Sequence, residues 1–347
     1  MGVGNVIITG VTGQDGSYLA DYLLETTKYV VHGVARFAHG RNLDNIQHLV
    51  SSPRDDFILH YGDVTDANFV GKLVRDLQPV YVFHLAAQSH VGNSFCDPSG
   101  TWRTNVNGTF NVLEAVRNYS NKTRVYVACS SEQYGNVLSS MIKEDRSAKL
   151  GLDSPMEPVS PYGLSKLVSY RLGELYRSVY NLWVVCGVLF NHEGPGRRGR
   201  LFVTRKIAKA VVEISQGKRQ HLTLGNMHPV RDWGYAPDYV RGMVAMMRYQ
   251  EPRSWILATG EGHTVWEYWD EACRYVGIDP DKHLIVDKQL CRSNDIEYLI
   301  GDASETMEKL SWQPTVKFRE LVRMMVDTER KLLQENTSSL VTADWKL

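Results

Sequence analysis

The sequence predicts an α/β protein of the doubly wound class, in which helices cover both faces of a mostly parallel sheet. Three observations lead to this prediction. Short, continuously apolar runs alternate with amphipathic helical stretches through the first half of the 347-residue chain. The first apolar run ends in a glycine-rich turn, and the alternation breaks down after Phe190. Continuous apolar runs are typical of parallel strands that are buried on both faces.

Six short strands are predicted in the first half of the chain. The apolar runs lie at residues 6–9, 30–34, 57–61, 80–85, 125–128 and 183–189, and a later run at 256–258 could return to the same sheet. Helical patterns separate them at 17–24, 68–77, 102–117 and 161–180. Because the crossover helices cover both faces, we expect ligands at the carboxyl ends of the strands.

A second structural unit is predicted after Phe190, because residues 191–200 are too rich in Gly, Pro and Arg for a regular element. Helices are expected at 202–216 and 237–248, with a short strand at 222–224. We predict a dinucleotide-binding domain of residues 1–190 plus about 232–260. A smaller, discontinuous α/β cap domain would take about 191–231 plus 261–340. The tryptophans expected in the cap core are Trp233, Trp255, Trp266, Trp269 and Trp312.

The composition excludes several classes of protein. Lys+Arg and Asp+Glu are both 39, so the net charge is zero, which argues against a nucleic-acid partner held by bulk electrostatics. Five scattered cysteines are typical of buried thiols in a reducing compartment. We find neither an apolar run of about 20 residues nor a cluster with metal-ligand spacing, so we expect a cytoplasmic protein without a membrane span or a metal.

The first strand leads into a turn that predicts a dinucleotide site. Gly10, Gly13 and Gly16 recur at a spacing of three, just before a helix. Glycines at these positions permit a tight turn and a close approach of a pyrophosphate to the positive end of the helix dipole. The predicted fold is therefore a Rossmann-type sheet. The predicted cofactor-binding residues of the turn are Gly10, Thr12, Gly13, Gln14, Asp15 and Gly16.

The end of the second strand favours NADP over NAD. NAD enzymes usually carry an acidic residue there, whereas this strand ends in Val34-Ala35-Arg36. A guanidinium at Arg36 suits a 2′-phosphate, although it could also be a solvated surface residue, and Arg41 could assist it. Asp63 could accept a bond from the adenine amino group or cap the following helix. Other predicted cofactor contacts are Val64, Leu85, Ala86 and Ala87.

A tyrosine and a lysine four residues apart predict an oxidation site. Tyr162 and Lys166 would lie on one face of a helix, where the ammonium favours the phenolate over the phenol. Such a tyrosine can remove a hydroxyl proton while the same carbon is oxidised. Both residues are also expected to contact the cofactor.

A second group of candidate catalytic residues follows the fifth strand. Ser130 could hold a substrate hydroxyl beside the tyrosine. Glu132 is a carboxylate where a simple sugar dehydrogenase or epimerase needs only a hydroxyl. It could remove the proton beside a newly formed ketone, or it could be an ordinary loop carboxylate. In this interpretation Glu132 separates a dehydratase from an epimerase.

These residues together resemble the extended short-chain dehydrogenase/reductase superfamily. Longer stretches resemble the GDP-mannose 4,6-dehydratase family within it, over about residues 5–312. The matching stretches are ITGVTGQDGSYLA at 8–20, AQSHV at 87–91, LFNHE at 189–193, FVTRK at 202–206, RDWG at 231–234 and ATGE at 258–261.

The resemblance implies that GDP-mannose is oxidised at C4, loses water across C5 and C6, and is reduced at C6 by the same NADP. Ser130 would stand where the family has Thr. The resemblance also implies a homodimer or homotetramer, with the loop after the second strand reaching a neighbour. Two more residues, Leu189 and His192, are predicted to contact the cofactor. The predicted substrate-binding residues are Ser89, Ser131, Asn191, Val203, Lys206, Leu224, Gly225, Arg231 and Arg292.

Three departures from the family pattern leave the sugar open. The run at 194–200, GPGRRGR, is longer than the family's run, residues 292–296 differ from its Arg-Pro-x-Glu-Val, and residues 97–108 are closer to the general superfamily. GDP-heptose is therefore an alternative substrate. A nucleotide-sugar 4-epimerase, a keto-sugar reductase and a non-catalytic binding module are alternative functions. Arg200 and Arg205 are further candidates for binding a diphosphate.

Overall fold

The computed structural model describes residues 4–37, 43–51, 54–145, 147–197, 199–291 and 294–341. Fourteen strands lie in this part of the chain. They are β1 (Asn5–Thr9), β2 (Val30–Ala35), β3 (Phe57–Tyr61), β4 (Tyr81–His84), β5 (Arg124–Ser130), β6 (Val184–Leu189), β7 (His192–Glu193), β8 (Leu222–Leu224), β9 (Val230–Asp232), β10 (Gly234–Tyr235), β11 (Ser254–Leu257), β12 (Gly262–Thr264), β13 (Leu284–Val286) and β14 (Tyr298–Leu299).

Seven of these strands form one parallel sheet in the order β11-β6-β5-β4-β1-β2-β3. The predicted doubly wound α/β fold is confirmed. The run predicted at 256–258 does return to this sheet, as β11 beside β6, although the strand begins at Ser254. The smaller sheets pair β10 with β7, β13 with β8, and β9 with both β12 and β14.

The helices of the described residues connect and cover these strands. They are α1 (Gln14–Thr26), α2 (Gln47–Val50), α3 (Ala67–Leu77), α4 (Val91–Cys96), α5 (Pro98–Trp102), α6 (Gly108–Tyr119), α7 (Val137–Glu144), α8 (Pro161–Val179), α9 (Val203–Ser215), α10 (Ala236–Arg248), α11 (Val265–Val276), α12 (Ser304–Leu310) and α13 (Phe318–Val341). Among them we find none that is both long and apolar enough to cross a membrane.

The helix predicted at 102–117 differs from the structure. It begins earlier, at Pro98, and a π-helical turn at Arg103–Asn107 separates α5 from α6. The carbonyl oxygen of Asn105 in this turn accepts from the hydroxyls of Thr109 and Ser169. These bonds supply partners for a carbonyl group in a turn that departs from α-helical geometry.

Two apolar cores lie in the described residues. The larger one packs the seven-stranded sheet against its helices, and the smaller one joins α9, α11 and α13 around Trp233 and Trp269. The expectation that five tryptophans pack the cap core was wrong for two of them. Trp255 and Trp312 lie in the larger core, because Trp255 is on β11 and Trp312 donates to the carbonyl oxygen of Asp238 on α10.

One buried carboxylate, on Asp232, connects the regions of the two apolar cores. Asp232, at the end of β9, is fully buried and accepts from the backbone N–H groups of Thr259, Gly260 and Gly301 and from the Thr259 hydroxyl. Burial raises the pKa of Asp232 to about 6, so the carboxylate is ionised at pH 8. Four donors on two separate loops therefore converge on one side chain.

We expect Asp232→Asn to lower the free energy of unfolding at pH 8 by about 2–4 kcal/mol, because an amide NH2 would face backbone donors. Denaturant unfolding would measure the change. The control is Asp279→Asn, an exposed carboxylate that accepts from Asp281 and pairs with Lys282. It should leave the midpoint of denaturant unfolding nearly unchanged, because the side chain is exposed to solvent. Equal effects of the two substitutions would contradict the role given to Asp232.

Candidate functional site

The predicted site residues follow the carboxyl ends of the parallel strands. Because all seven strands run in one direction, these ends meet at one edge of the sheet. Gly10 follows β1, Arg36 follows β2, Asp63 follows β3, Leu85 follows β4 and Ser131 follows β5. The fold thus brings five segments, spread over more than 120 residues of sequence, to a common edge.

The glycine-rich turn has the geometry of an anion cradle. Gly10 has φ +75°, and a Cβ on it would lie 2.8 Å from the backbone of Ala86. A Cβ on Gly16 would overlap the carbonyl oxygen of Gly10. Gly13 is the N-cap of α1 and has no side chain with which to cap it, so the first N–H groups of the helix can face a bound anion. The turn therefore fits a pyrophosphate.

Three residues predicted to bind the cofactor also make contacts within the protein. The Gln14 amide donates to the carbonyl oxygen of His192 at 3.1 Å and accepts from the Gly194 N–H at 2.7 Å. Asp15 Oδ2 lies 3.0 Å from His192 Nε2, and the His192 ring stacks on Tyr239 with centroids 4.4 Å apart. These contacts join the start of α1 to β7. Leu189, another predicted cofactor contact, is buried at the end of β6.

A polar network orients the loop after β4. The Thr9 hydroxyl oxygen accepts from the N–H groups of Leu85 and Ala86, each at 3.2 Å, and lies 2.9 Å from His84 Nδ1. Because the oxygen already accepts twice, its own proton is donated to Nδ1, and the neutral ring carries its proton on Nε2. Burial, together with the charge of Lys166, lowers the pKa of His84 to about 3, so the ring is neutral. The loop of Leu85, Ala86 and Ala87 is thus anchored beside Gly10.

Arg36 and Asp63 lie at the ends of β2 and β3. Arg36 is exposed. Asp63 Oδ1 accepts from the Thr65 N–H at 2.9 Å, whereas Asp66 accepts from the first N–H groups of α3 and is its N-cap. The capping role considered for Asp63 therefore belongs to Asp66. Val64 is buried. Arg41 lies outside the described residues.

Helix α8 positions Tyr162 and Lys166. Pro161 occupies its first turn, and the Ser160 hydroxyl caps it by accepting from the Gly163 N–H at 2.9 Å. Lys166 is buried and donates from Nζ to the carbonyl oxygen of Ala128 at 2.8 Å. Its Nζ lies 6.0 Å from the centroid of the Tyr162 ring, and burial lowers the pKa of Lys166. The tyrosine and lysine thus form a pair against β5.

Ser130 and Glu132 lie on the adjoining segment. Ser130 ends β5, and its hydroxyl accepts from the Glu132 N–H at 3.3 Å at the start of a 3-10 turn. A Cβ on Gly163 would lie 2.5 Å from the Glu132 carbonyl oxygen, so this turn packs directly against the start of α8. Glu132 is half-buried, whereas Ser131 is buried. The four predicted catalytic residues therefore lie on two contacting elements.

Asn105 is a supporting residue that the sequence reasoning missed. It is buried, donates to the carbonyl oxygen of Gln88 and to the Ser165 hydroxyl, and accepts from the Gln88 N–H. It therefore links the loop after β4 to α8, between Tyr162 and Lys166. The sequence signal that could have identified it is an amide residue on the buried face of a helix, because a buried polar side chain needs hydrogen-bond partners.

The predicted substrate-binding residues lie on several elements around this edge. Ser89 is exposed in the loop after β4, and Asn191 lies between β6 and β7. Leu224 ends β8, and Gly225 follows it at a position where a Cβ would lie 2.8 Å from the backbone of Leu290. Arg292 lies outside the described residues.

The cations of the cap region differ in their surroundings. Lys206 is exposed in the first turns of α9, three residues after Val203. Arg231 on β9 donates to the carbonyl oxygen of Val230 at 3.0 Å. Arg205, considered for binding a diphosphate, pairs with the buried Glu329 on α13 at 2.6 Å. This pair joins two helices of the smaller core, so Arg205 has a structural role there.

Comparisons of the sequence with known proteins agree on one family. The sequence model described as GDP-mannose 4,6 dehydratase matches residues 7–325. A GDP-mannose 4,6 dehydratase of Cricetulus griseus is 38% identical over 356 residues, which covers 96% of this chain and 93% of that protein. Among solved structures, dTDP-glucose 4,6-dehydratase of Bacillus anthracis in complex with NAD has a TM-score of 0.81 and 18% identity, covering 96% of this chain and 98% of that one.

A second solved structure shares the fold. RMD of Pseudomonas aeruginosa, complexed with NADPH, has a TM-score of 0.76 at 20% identity and covers 95% of this chain and 98% of that one. At these identities both structures show a common fold, and the family match comes from the sequence.

We expect Gly10→Ala to weaken the binding of a nicotinamide dinucleotide by about tenfold or more, because a methyl group would push Ala86 away from the turn. Fluorescence titration with NADPH would measure the dissociation constant. The matched control is Gly217→Ala, which has φ +69° but no heavy atom within 4 Å of the added carbon. Both variants should lose about 1 kcal/mol of stability through backbone strain. Unchanged binding by Gly10→Ala would contradict the cradle.

Proposed function

Because this chain belongs to the GDP-mannose 4,6-dehydratase family, we propose that it converts GDP-mannose to GDP-4-keto-6-deoxymannose. The observation that supports the proposal best is the placement of Glu132 next to the tyrosine and lysine pair. An oxidation site alone would need only Ser130, Tyr162 and Lys166. The added carboxylate at the same edge supports an elimination that follows the oxidation.

Two residues of α8 would carry the oxidation half of the reaction. Tyr162 would remove the proton from the C4 hydroxyl, and the Lys166 ammonium would stabilise the phenolate. Ser130 would hold the same hydroxyl by a hydrogen bond. When bound, the nicotinamide supplies the oxidation at C4 and the reduction at C6, and it is regenerated in each turnover. The bond from Lys166 Nζ to the Ala128 carbonyl oxygen would hold the ammonium beside the tyrosine during both the oxidation and the reduction.

Glu132 would carry the elimination. A ketone at C4 acidifies the proton on C5, and a carboxylate beside the sugar can then remove it. The protonated carboxyl can assist the C6 hydroxyl as it leaves as water. Because the Glu132 N–H donates to the Ser130 hydroxyl, the base and the hydroxyl-binding residue are held next to each other.

We propose that the enzyme is a carbon–oxygen lyase and that its cofactor is NADP. Arg36 supports this choice, because it stands exposed at the end of β2 and the strand end carries no acid. The solved relatives of this fold bind NAD in one case and NADPH in another. The glycine turn fits the pyrophosphate of either dinucleotide. The 2′-phosphate is therefore the group that Arg36 would distinguish.

The nucleotide would be held by cations of the cap region. We propose Lys206, Arg231 and Arg292 for the diphosphate, since each is a cation on a family motif. Asn191, Val203, Leu224 and Gly225 would surround the rest of the GDP, and Ser89 and Ser131 would contact the sugar. GDP-heptose is an alternative substrate for this site, and a 4-epimerase is an alternative function in which Glu132 would be idle.

The first experiment is mass spectrometry of the product after incubation with GDP-mannose and catalytic NADP. A product lighter by one water, formed in excess over cofactor, would support the proposal. Parallel reactions with NAD test the cofactor, and reactions with GDP-heptose test the sugar. A product of unchanged mass but altered stereochemistry would overturn the dehydratase in favour of an epimerase.

We expect Glu132→Gln to lower the rate of dehydration by about 10²–10⁴-fold, because the amide cannot accept the C5 proton. Reduction of bound NADP, followed by the absorbance of the NADPH that forms, should persist, since oxidation at C4 does not use this residue. The control Glu157→Gln changes an exposed carboxylate on the segment before α8 and should leave both steps unchanged. A Glu132→Gln enzyme with wild-type dehydration would exclude Glu132 as the base.

We also propose the two-domain division given by the sequence, with residues 1–190 plus about 232–260 in one domain and about 191–231 plus 261–340 in the other. The two separate apolar cores support a division into two units, although their members cross these boundaries: Trp233 lies in the smaller core, and Leu299 and Trp312 lie in the larger one. The five cysteines are free, with Cys129, Cys186 and Cys273 buried and the other two exposed, contrary to the expectation that all are buried. Free thiols support a reducing, cytoplasmic location.

A homodimer or homotetramer is proposed from an apolar surface on three neighbouring helices. Trp102, Phe110, Leu164, Leu175 and Val179 are each more than two-fifths exposed, on α5, α6 and α8. Large apolar side chains that cluster on a surface are typical of an interface. If two copies of the chain met about a two-fold axis, these three helices would be buried on both copies.

Replacing Leu175 with Glu should therefore halve the mass of the wild-type assembly, because the charge would be buried between two copies. Light scattering on a size-exclusion column would measure the mass against the 39.4 kDa chain. The control Ile285→Glu changes an exposed apolar residue on β13 and should leave the mass unchanged. A wild-type mass of one chain, or an unaffected Leu175→Glu variant, would overturn this interface.

A further inference from the structure

The backbone N–H group of Tyr162 is held by a serine from another helix. Tyr162 is the second residue of α8, a position whose N–H group has no acceptor within its own helix. The hydroxyl of the N-cap residue, Ser160, accepts from the next N–H group, that of Gly163. The Ser94 hydroxyl on α4 accepts from the Tyr162 N–H at 3.2 Å, although the two residues are 68 positions apart.

The Ser94 hydroxyl is oriented for this contact. The residue is fully buried, and its hydroxyl proton is donated to the carbonyl oxygen of Val91, one turn earlier in α4, at 2.7 Å. A lone pair of the oxygen therefore remains for the Tyr162 N–H. Because Tyr162 is also buried, the loss of this acceptor would take a partner away from a buried N–H group, which is costly.

Helix α4 is itself held at its start. It has six residues, so it is too short to be stable without contacts to the rest of the protein. His90 is its N-cap, and His90 Nδ1 accepts from the Asn93 N–H at 3.0 Å. The His90 ring also lies edge-on to Phe202, the N-cap of α9, with centroids 5.8 Å apart. Ser94 therefore presents its hydroxyl to α8 from a fixed helix.

Ser94 and Ala128 hold α8 from two different elements. The Ala128 carbonyl oxygen on β5 accepts from Lys166 Nζ, one turn after Tyr162. Two bonds to separate elements fix the start of a helix more tightly than one bond does. The segment that leads into α4 also carries Ser89, a proposed sugar contact, five residues before Ser94. The tyrosine and the sugar-contacting loop are thus connected through one short helix.

We propose that Ser94 is a positioning residue, which sets the place of the Tyr162 side chain through the backbone at the start of α8. The proposal rests on the proposed function, in which Tyr162 removes the proton from the C4 hydroxyl. Such a step is sensitive to displacements of about 1 Å, because the reacting atoms must meet in one geometry. Ser94 acts on the reaction through the position of Tyr162 alone.

The first test follows hydrogen exchange at the start of α8 in the full-length protein. In Ser94→Ala the Tyr162 amide should exchange about tenfold faster than in the wild type, because its acceptor is lost. Mass spectrometry, with fragmentation of the peptide that contains Tyr162, would measure the rate. Ser94→Cys should be intermediate, because a thiol sulfur is a weaker acceptor than a hydroxyl oxygen.

The second test measures the oxidation step. The Ser94 variants are made in the Glu132→Gln background, in which elimination should be slow enough for NADPH to accumulate. Enzyme loaded with NADP is mixed with GDP-mannose, and the absorbance of the NADPH that forms is followed in a stopped-flow instrument. Ser94→Ala should slow this step about tenfold, with unchanged dissociation constants for NADP and GDP-mannose. Ser94→Cys should recover part of the rate.

Ser120→Ala is the matched control. Ser120 is also a buried serine, and its hydroxyl accepts from that of Thr123 at 2.9 Å. It follows α6 just before β5, at the amino edge of the sheet, opposite the edge that carries the site. Its replacement should lower the midpoint of thermal unfolding about as much as Ser94→Ala does, without changing the rate of NADPH formation.

The outcomes separate the role of Ser94 from the proposed function. Wild-type exchange at Tyr162 in Ser94→Ala would overturn the positioning role, and so would a wild-type rate of NADPH formation. Weaker binding of GDP-mannose with normal oxidation, or equal slowing in Ser120→Ala, would overturn it as well. A wild-type protein that leaves GDP-mannose unchanged would overturn the dehydratase, while the exchange measurement still decides whether Ser94 holds Tyr162.

Discussion

The bond between the Lys166 ammonium and the Ala128 carbonyl oxygen is the contact on which the proposed catalytic arrangement depends. A buried ammonium needs a fixed partner, because burial without one costs far more than a hydrogen bond returns. The bond therefore holds α8 against β5 in one position. Tyr162 then faces the strand end that carries Ser130, and the turn with Glu132 packs on Gly163. Two elements far apart in sequence thus present their side chains to one volume.

Polar side chains beneath the site support this register. Asn105 bonds the loop after β4 to α8. The Thr9 hydroxyl at the end of β1 accepts directly from two N–H groups of the same loop and also bonds His84. Each of these groups is buried and has several partners, so no single rotation of a side chain can relax the arrangement. The site is therefore preorganised by residues that do not themselves touch the proposed substrate.

The sequence predicted what depends on local patterns. The parallel strands and the glycine turn follow from short apolar runs and fixed spacing. Partners distant in sequence could not be predicted, because no periodicity links Asp232 to Gly301 or Arg197 to Asp21. Arg205 was considered for binding a diphosphate for the same reason, because its actual partner, Glu329, lies 124 residues away in the sequence. Trp312 was assigned to the cap core, because its partner on α10 lies 74 residues away.

The position of Trp312 also sets the order in which the protein can be built. The larger core contains Trp255 on the edge strand β11 and closes over Trp312, near the end of the chain. A ribosome releases the chain from its amino end, so most of the sheet emerges long before these residues do. The nascent sheet keeps an open edge until β11 has been made and an unfilled apolar surface until residue 312 has been made. That surface is therefore open to contacts with other chains while synthesis continues.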